Sequence, residues 1–369
     1  MRMACRSAPT GCGPGTRRPG TVGRYVRILL ISNMYPGPKR PEFGVFVQNL
    51  AEELKRRGHD VDEAVLRDSR SGLLRTPLKY LNLLIAASTA ARHARPDVIY
   101  AHFLVPTGAI ARLVSRQCAA PYVITAHGQD VANARRSRLM SAVTRWAVAR
   151  AAGVICVSDY LARRLPEAGT TPVNVIDCGV DTARFTPAER APGDGPRFLF
   201  VGSLIPRKNV SRLVQAHSLL GRGSLTVVGS GPLEAGLRAD APATVCFVGS
   251  LTPDGVVERL RRADVLCLPS LEEPFGQAAL EALATGRPVV ATRVGGPPEY
   301  VTPECGSLID PFDPAAIAEG MRHAATLPVP CAEAIRVAQA HDLSVQAARV
   351  EAVLLQAAAG AARSPTPSR

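Results

Sequence analysis

VLCLPSLEEPFGQAALEALAT, residues 265–285, is the most informative stretch of this sequence. Its first four residues form a continuous apolar run, which is typical of a strand buried on both faces of a parallel sheet. Pro269 ends this strand, and Gly276 is expected to open a helix that runs to about Thr285. The stretch therefore predicts one strand–loop–helix unit of an α/β fold.

Apolar runs and helical segments alternate on both sides of this unit. In the first half, residues 44–57 have the apolar spacing of a helix, and strands are predicted at Val26–Ser32, Asp97–Ala101, Tyr122–Thr125 and Val154–Val157. After a break rich in Gly and Pro at 187–196, further strands are predicted at Phe198–Gly202, Leu225–Gly229, Val245–Gly249 and Pro288–Ala291. Two such series predict two doubly wound, Rossmann-like parallel-sheet domains that face a cleft, with ligands beyond the carboxyl ends of the strands.

The composition fits a globular protein of two domains. The chain has 369 residues, of which 46% are hydrophobic and 20% are charged. Its net charge of +13 is concentrated in residues 1–185, which contain 27 of the 44 Lys and Arg residues but only 13 of the 31 Asp and Glu residues. A basic half indicates an anionic partner such as nucleic acid, phospholipid or a phosphorylated acceptor.

No apolar run approaches the roughly 20 residues that a membrane-spanning helix needs. The most apolar stretch, Leu78–Ser88, is expected to form a packed or interfacial helix. Residues 1–24 lack both acids and the apolar core of a signal peptide, so we expect a disordered leader, with an upstream extension or a transit peptide as alternatives. The nine cysteines form no CxxC pair, and Cys156 and Cys267 lie in strand-like runs, which predicts reduced, buried thiols in a cytoplasmic protein.

Two acids lie beside the predicted start of the helix at residue 276. Glu273 precedes that start, and Glu281 lies about one turn inside the helix. The unpaired backbone N–H groups at a helix N-terminus suit a diphosphate, and carboxylates beside them can accept hydrogen bonds from sugar hydroxyls. A single Glu is usually a solvated surface group, but two that bracket a Pro-Phe-Gly turn indicate a binding site.

The spacing of these acids resembles the E-x7-E motif of the retaining family-four glycosyltransferases, which have the two-domain GT-B fold. Four further segments resemble motifs of that family in the same order: IDCGVDTARF at 176–185, FVGSLIPRKN at 200–209, VGSGPL at 228–233 and VGGPPE at 294–299. The resemblance covers about residues 26–355. It implies an acceptor-side domain at 25–185, a nucleotide-sugar-binding domain at 186–340, and a C-terminal helix at 341–369 that returns toward the first domain. We expect the last residues, 361–369, to form a frayed tail.

By this resemblance, Lys208 contacts the donor diphosphate, a role that suits a point charge after a glycine loop. The family commonly has Arg directly after the glycine, where this sequence has Ser203. We expect Arg207 to supply that positive charge, the alternative being a solvated Arg207-Lys208 pair. Asn209 stands where the family commonly has Gly, which fits if the backbone needs positive φ there.

The resemblance assigns the remaining donor contacts to the segment around residue 276. Glu281 binds the ribose hydroxyls and Glu273 contacts the transferred sugar, while the backbone of Phe275 and Gly276 faces the sugar or the phosphate. In the first domain, Gly44 ends a loop rich in Gly and Pro, where it would let the backbone approach the donor phosphates.

Histidines end two of the predicted strands of the first domain. His127 begins the string H-G-Q-D, and by resemblance it contacts the transferred sugar near the reacting centre, although a lone His is more often a packing residue. Asp130 is expected to orient His127, to meet the acceptor or to cap a helix. His102 is a second candidate at the cleft.

One segment has the D-x-D pattern of metal-dependent sugar transfer. Asp60-Val61-Asp62 follows a helix and precedes a strand, so we interpret it as a surface turn at the opposite end of the sheet. We therefore expect no metal ion and no cofactor, since the nucleotide-diphosphate sugar is a substrate.

The expected function is transfer of a hexose-type sugar, with retention, from a UDP- or GDP-sugar to a glycan, glycolipid or small-molecule acceptor. Five arginines suit peripheral contact with the anionic inner face of the cell membrane, the alternative being a solvated helix face: Arg135, Arg136, Arg138, Arg145 and Arg150. A nucleotide-sugar epimerase or hydrolase of similar architecture is a rival. A nucleic-acid-binding protein is not expected, because only 5% of the residues are aromatic.

Overall fold

The computed structural model describes residues 25–38, 40–67, 75–166, 169–190, 192–193 and 195–363. The expected leader at 1–24 lies outside these residues. Of the expected frayed tail at 361–369, the first three residues continue a helix and the rest lie outside the described part.

The N-terminal domain is a parallel sheet of six strands in the order β2-β1-β3-β4-β5-β6. Its strands are β1 Arg27–Ser32, β2 Asp60–Val65, β3 Val98–His102, β4 Tyr122–Ala126, β5 Gly153–Cys156 and β6 Val173–Val175. Helices cover both faces: α1 Val45–Arg56, α2 Arg75–Ala94, α3 Ala109–Cys118, α4 Gln129–Ala134, α5 Arg138–Val148 and α6 Asp159–Arg164, with a wide turn at Leu104–Gly108. Every residue of β3, β4 and β5 is buried, as the continuous apolar runs predict.

The C-terminal domain is a second parallel sheet of six strands, in the order β12-β11-β10-β7-β8-β9. Its strands are β7 Arg197–Val201, β8 Ser224–Val228, β9 Val245–Gly249, β10 Val265–Leu268, β11 Val289–Thr292 and β12 Gly306–Ile309. Its helices are α7 Val210–Leu220, α8 Glu234–Asp240, α9 Pro253–Arg262, α10 Gln277–Ala284, α11 Pro314–Ala324 and α12 Ala332–Ala340, with 3-10 turns at Pro206–Lys208 and Pro297–Glu299.

The last helix, α13 (Leu343–Arg363), packs on the N-terminal domain although it follows the C-terminal one. Its residues Ala347, Val350 and Leu354 are buried in one apolar cluster with Val47 and Leu50 of α1. The chain therefore crosses between the domains a second time.

The predicted fold class is confirmed, because both halves form doubly wound, Rossmann-like parallel sheets. The interpretation of Asp60-Val61-Asp62 as a surface turn is wrong. These residues begin strand β2, in which Val61 is buried and pairs with Ile28 of β1. The segment nevertheless lies at the amino-terminal end of the sheet, away from the cleft, as expected.

Strand order reverses between β1 and β3 in the first sheet and between β7 and β10 in the second. Loops that leave the carboxyl ends of strands on either side of such a reversal diverge and leave a crevice. The loops that follow β1, β3, β7 and β10 contain Gly44, Phe103, Lys208 and Glu273, which places the candidate site at both crevices.

Candidate active site

A cavity lies between the two domains, where the loop after β1 faces the start of α10. Gly44 and Arg40 line it from the first domain, and Ser203, Gln277 and Glu281 line it from the second. Its volume is about 330 Å³, within the range of about 300–1,000 Å³ that is usual for small-molecule sites. Two residues expected to contact the donor, Gly44 and Glu281, therefore share one cavity.

Gly44 begins α1 in a conformation that only glycine adopts easily. Its φ is +76°, and a Cβ atom there would lie 2.6 Å from the backbone carbonyl of Met34. No side chain caps the helix, so the first backbone N–H groups of α1 lie at the cavity wall with Val45 and Phe46. This end of α1 can accept an anion.

Lys208 and Glu273 form a largely buried ion pair at the carboxyl end of the second sheet. Lys208 Nζ donates to Glu273 Oε2 at 2.5 Å, and Ser270 Oγ donates to the same oxygen at 2.7 Å. Burial raises the pKa of Glu273, but the positive charges of Lys208 and Arg207 outweigh it, so the pKa of Glu273 is lowered. The carboxylate is ionised and positioned from two sides.

The segment that holds Lys208 is fixed to the loop after β10. Arg207 donates from Nη1 to the carbonyl oxygen of Glu272 at 3.0 Å. Asn209 has a φ of +59°, which fits the expectation for a position where glycine is common. Its side-chain amide donates to the carbonyl oxygens of Pro269 and Pro311. The asparagine therefore adopts the left-handed backbone conformation and also connects the loops that follow β10 and β12.

The turn at Phe275-Gly276 is held in place by hydrogen bonds from Tyr300. The hydroxyl of Tyr300 donates to the carbonyl oxygens of both residues, at 2.9 and 3.2 Å. Gly276 has a φ of +101°, and a Cβ atom there would lie 2.7 Å from that hydroxyl. Phe275 is buried against the rings of Tyr300 and His341. Both carbonyl groups therefore point toward Tyr300, which leaves the N–H face of the turn for a ligand.

Glu281 differs from Glu273 in its electrostatic environment. Burial raises the pKa of Glu281 to about 7, and the positive charge of Arg184 only partly opposes this. The carboxyl group lines the cavity between the two domains. The two acids of the E-x7-E spacing thus have pKa values that are shifted in opposite directions.

His127 and His102 form a pair in the N-terminal domain. His102 Nδ1 and His127 Nε2 are 3.0 Å apart, and the rings stack with centroids 5.2 Å apart. Burial lowers the pKa of His127 to about 3 and, together with the neighbouring His127, lowers that of His102. Both imidazoles are therefore neutral at physiological pH. Phe46 lines the cavity between the two domains, and its ring centroid lies 4.9 Å from that of His127.

Asp130 is buried, and its carboxylate is surrounded by backbone amides. It accepts hydrogen bonds from the N–H groups of Leu104, His127, Gly128 and Val131. Of the three roles left open by the sequence, this geometry matches orientation of the His127 turn. The same contacts tie the end of β4 to the wide turn after β3.

Several polar residues that were assigned no role connect the two domains. Glu299 accepts hydrogen bonds from the backbone N–H groups of Asp159 and Tyr160. Ser158 Oγ donates to the carbonyl oxygen of Pro274 at 2.6 Å, and Gln277 Nε2 donates to that of Gly179 at 2.8 Å. The motifs VGGPPE and LEEPFGQ contain two of these three residues, Glu299 and Gln277, but sequence spacing does not show what each side chain contacts.

The described part of the chain contains buried cysteines but neither a metal site nor a membrane-spanning helix. Cys156 and Cys267 are buried and unpaired, as predicted. Within the described ranges, no cluster of three or more His, Cys, Asp or Glu side chains is arranged to hold a metal ion. The helices of the described part are too short or too polar to cross a bilayer.

Comparisons with known proteins identify the two halves. The Glycosyltransferase Family 4 model matches residues 43–184, and the Glycosyl transferases group 1 model matches residues 195–326. A glycogen synthase of Mycobacterium tuberculosis is 30% identical over 357 residues, which cover 80% of this chain and 85% of that protein.

Solved structures share the architecture. A sucrose-phosphate synthase from Thermosynechococcus elongatus superposes with a TM-score of 0.78 at 23% identity, covering 91% of this chain and 100% of that chain. HepE from Anabaena, in complex with UDP-glucose, superposes with a TM-score of 0.68 at 20% identity, covering 90% and 99%. These similarities, with the two facing sheets, define a GT-B fold. The chain belongs to the glycosyltransferases, with a family 4 domain before a group 1 domain, and is a transferase enzyme.

Proposed function

We propose that this enzyme transfers a hexose-type sugar from a UDP- or GDP-sugar to a glycan, glycolipid or small-molecule acceptor, with retention of anomeric configuration. The observation that supports it most is the Lys208–Glu273 ion pair at the carboxyl end of the second sheet. In a glycosyltransferase, a cation held against a carboxylate at this position suits the junction between a diphosphate and a sugar. The similarity to a structure containing UDP-glucose agrees with such a donor.

In this proposal, residues of both domains bind the donor. Glu281 accepts hydrogen bonds from the ribose hydroxyls, and the diphosphate lies between Lys208 and the start of α1 at Gly44. The backbone N–H groups at Phe275-Gly276 add further donors. Arg207 is the proposed second cation in the segment where Ser203 replaces the commoner Arg.

The chemical step follows from where charge develops. The bond between the anomeric carbon and the diphosphate oxygen breaks, and Lys208, Arg207 and backbone N–H groups stabilise the negative charge on the leaving group. The acceptor hydroxyl attacks from the same face, and its proton passes to the departing diphosphate oxygen. Glu273 and the neutral His127 hold the sugar ring while the anomeric carbon becomes oxocarbenium-like. The proposal assigns no step to a metal ion or a cofactor.

The acceptor side is proposed to be the N-terminal domain. Asp130 orients the His127 turn, and His102 fixes the His127 ring through its Nδ1 atom. We propose a role in polysaccharide or glycolipid synthesis in the cytoplasm, with peripheral contact between the basic N-terminal domain and an anionic membrane.

Calorimetric binding of UDP, GDP and ADP, without divalent metal, tests the donor site. We expect one uracil or guanine nucleotide to bind selectively, and both Lys208→Ala and Glu281→Ala to weaken that binding at least tenfold. Glu304→Gln, a change at an exposed glutamate of the same domain, is the matched control. Binding that survives both site variants would contradict the proposed donor site.

Product analysis tests the reaction itself. With the donor identified, we expect slow hydrolysis in the absence of acceptor and an α-linked product from an α-linked donor when a glycan acceptor is added. Rapid turnover of the donor without any acceptor would favour the epimerase or hydrolase rival. A β-linked product would contradict retention.

A further inference from the structure

The three helices on one face of the first sheet have an unusual surface. Helix α3 packs beside both α2 and α5, so the three form one continuous layer, which we call the α2–α3–α5 face. Their sequences contain no Asp or Glu, whereas Arg92, Arg116, Arg138 and Arg145 are exposed. These three helices therefore contain seven of the 27 Lys and Arg residues of the first half and none of its acids.

Large apolar side chains are exposed on the same face. Leu78, Leu81 and Ile85 are 59%, 50% and 55% exposed, and their spacing places them on one side of α2. Leu139 of α5 is 72% exposed, and Leu113 of α3 is also exposed. Monomeric proteins rarely expose clustered aliphatic side chains beside unopposed arginines, and such a surface commonly binds a partner.

The aromatic rings on this face argue against nucleic acid as that partner. Arg112 lies 4.4 Å from the centroid of the Trp146 ring, and Lys79 lies 5.5 Å from that of Tyr80. A cation over one face of each ring leaves fewer aromatic faces on which bases can stack, and stacking is how proteins usually bind single strands. Exposed Leu and Ile beside Arg and an interfacial Trp are instead typical of helices that lie in the headgroup region of a membrane.

The α2–α3–α5 face adjoins the candidate site. The wide turn after His102 contacts α3 and α5. The segment after His127 runs through α4 to Arg135 and Arg136, which lie between α4 and α5. A membrane on this face would therefore lie beside the N-terminal wall of the cleft.

We infer that the α2–α3–α5 face docks on an anionic phospholipid bilayer, with Leu78, Leu81, Ile85 and Leu139 inserted among the headgroups and the arginines on lipid phosphates. The inference rests on the proposed membrane contact and names its surface and its lipid charge. It gives the cleft direct access to an acceptor that is anchored in the same bilayer.

Sedimentation of the full chain with lipid vesicles tests the docking. Vesicles of phosphatidylcholine with phosphatidylglycerol should bind the protein, and vesicles of phosphatidylcholine alone should bind it much more weakly. The triple variant Arg116→Glu, Arg138→Glu, Arg145→Glu should lose about 100-fold or more in affinity, since each basic residue contributes about fivefold. Leu81→Gln with Ile85→Gln should also weaken binding, with less dependence on salt.

A matched triple variant on the other domain is the control. Arg222→Glu, Arg262→Glu, Arg322→Glu makes the same change in net charge at exposed arginines and should alter vesicle binding less than threefold. Equal loss in both triples, or no binding of the wild type to anionic vesicles, would overturn the inference. Tighter binding of a 30-nucleotide RNA than of anionic vesicles, lost in the first triple only, would overturn it in favour of nucleic acid.

Nucleotide binding separates this inference from the proposed function. UDP or GDP binding should be unchanged in both triples, which would also show that the variants are folded. If the wild type binds vesicles through the α2–α3–α5 face but binds no nucleotide, the proposed donor site fails and the docking surface stands.

Discussion

Glu299 and Tyr160 lie in different domains, and Glu299 Oε1 accepts a hydrogen bond from the backbone N–H of Tyr160 at 2.8 Å. Oε2 of the same carboxylate accepts from Asp159 at 2.9 Å, so the glutamate caps helix α6 from across the cleft. Three residues earlier, Gly296 donates its N–H to the carbonyl oxygen of Glu273. Residues 296–299 thus connect the Glu273 loop to the N-terminal domain and hold the two domains together at the cleft.

We predict that Glu299→Gln lowers kcat/KM for sugar transfer about 5- to 10-fold, because two charge-assisted hydrogen bonds become weaker at an exposed site. A less firmly closed cleft admits water, so the ratio of donor hydrolysis to transfer should rise. Steady-state kinetics of both reactions measure the effect. Nucleotide binding should change less than threefold, since Glu299 is not among the proposed donor contacts.

Glu304→Gln provides the comparison for Glu299, because Glu304 is an exposed glutamate only five residues further along the same segment. It should leave both rates unchanged. If Glu299→Gln lowers transfer and hydrolysis by the same factor, closure of the cleft is not the property that Glu299 controls.

Removal of Lys208 should affect activity and stability by separate routes. We predict that Lys208→Ala lowers kcat/KM about 100- to 1,000-fold, as loss of a group that stabilises leaving-group charge commonly does. It should also lower the free energy of unfolding by about 3 kcal/mol, because the buried Glu273 carboxylate loses its partner. The double variant Lys208→Ala, Glu273→Gln should recover most of that stability in denaturant unfolding but none of the activity. Recovery of activity would mean that Lys208 only neutralises Glu273.

The sequence predicted the unit around residue 276 almost residue by residue. Strand β10 has the predicted bounds, and α10 begins one residue after Gly276. Both boundaries are clear in the sequence because Pro269 ends the strand and Gly276 opens the helix. Strand β2 was misread because its sequence DVDEAV places acids where a strand is not expected. Asp60 is exposed and Asp62 and Glu63 are half-buried, which an edge strand tolerates. Strands β6 and β12 were not predicted, since short edge strands carry little apolar signal.

The candidate site was predicted as a set of residues but not as a set of contacts. Lys208 and Glu273 are 65 positions apart, and they meet because β7 and β10 are neighbours in the sheet, which the sequence does not specify. Asp130 had three open roles, and only the fold shows four backbone amides around its carboxylate. The opposite pKa shifts of Glu273 and Glu281 depend on burial and on nearby cations, neither of which a motif records.

Glu281 should make nucleotide binding depend on pH. Burial raises its pKa to about 7, so below that pH the carboxyl group is protonated and accepts ribose hydrogen bonds less well. We predict that affinity for the nucleotide falls about 10- to 30-fold between pH 8 and pH 5.5. Calorimetry on Glu281→Gln measures the contribution, because the variant retains any effect of ionisation of the nucleotide itself. Parallel pH profiles for the two proteins would contradict the assignment.

The same shift has the opposite consequence for stability. Since the pKa of Glu281 is higher in the folded protein than in the unfolded chain, the unfolded chain binds fewer protons between about pH 4.5 and 7, and stability falls as pH rises through that interval. We predict that the Tm of Glu281→Gln minus that of the wild type is larger at pH 8 than at pH 4.5. A Tm difference that is the same at both pH values would show that the carboxyl group is not buried in the ligand-free protein.

The His102–His127 pair should make the protein sensitive to acid. Burial lowers the pKa of both imidazoles below the unfolded value of 6.5, so the unfolded chain binds more protons than the folded one below pH 6.5. Stability is then lost as pH falls from 6.5 toward the folded pKa values. We predict that His102→Gln is less stable than the wild type at pH 7, because the hydrogen bond to His127 is altered, and that this difference narrows at pH 5. Thermal unfolding at both pH values measures it, with His93→Gln at an exposed position of α2 as the control. A constant difference would mean that His102 is not held neutral by its surroundings.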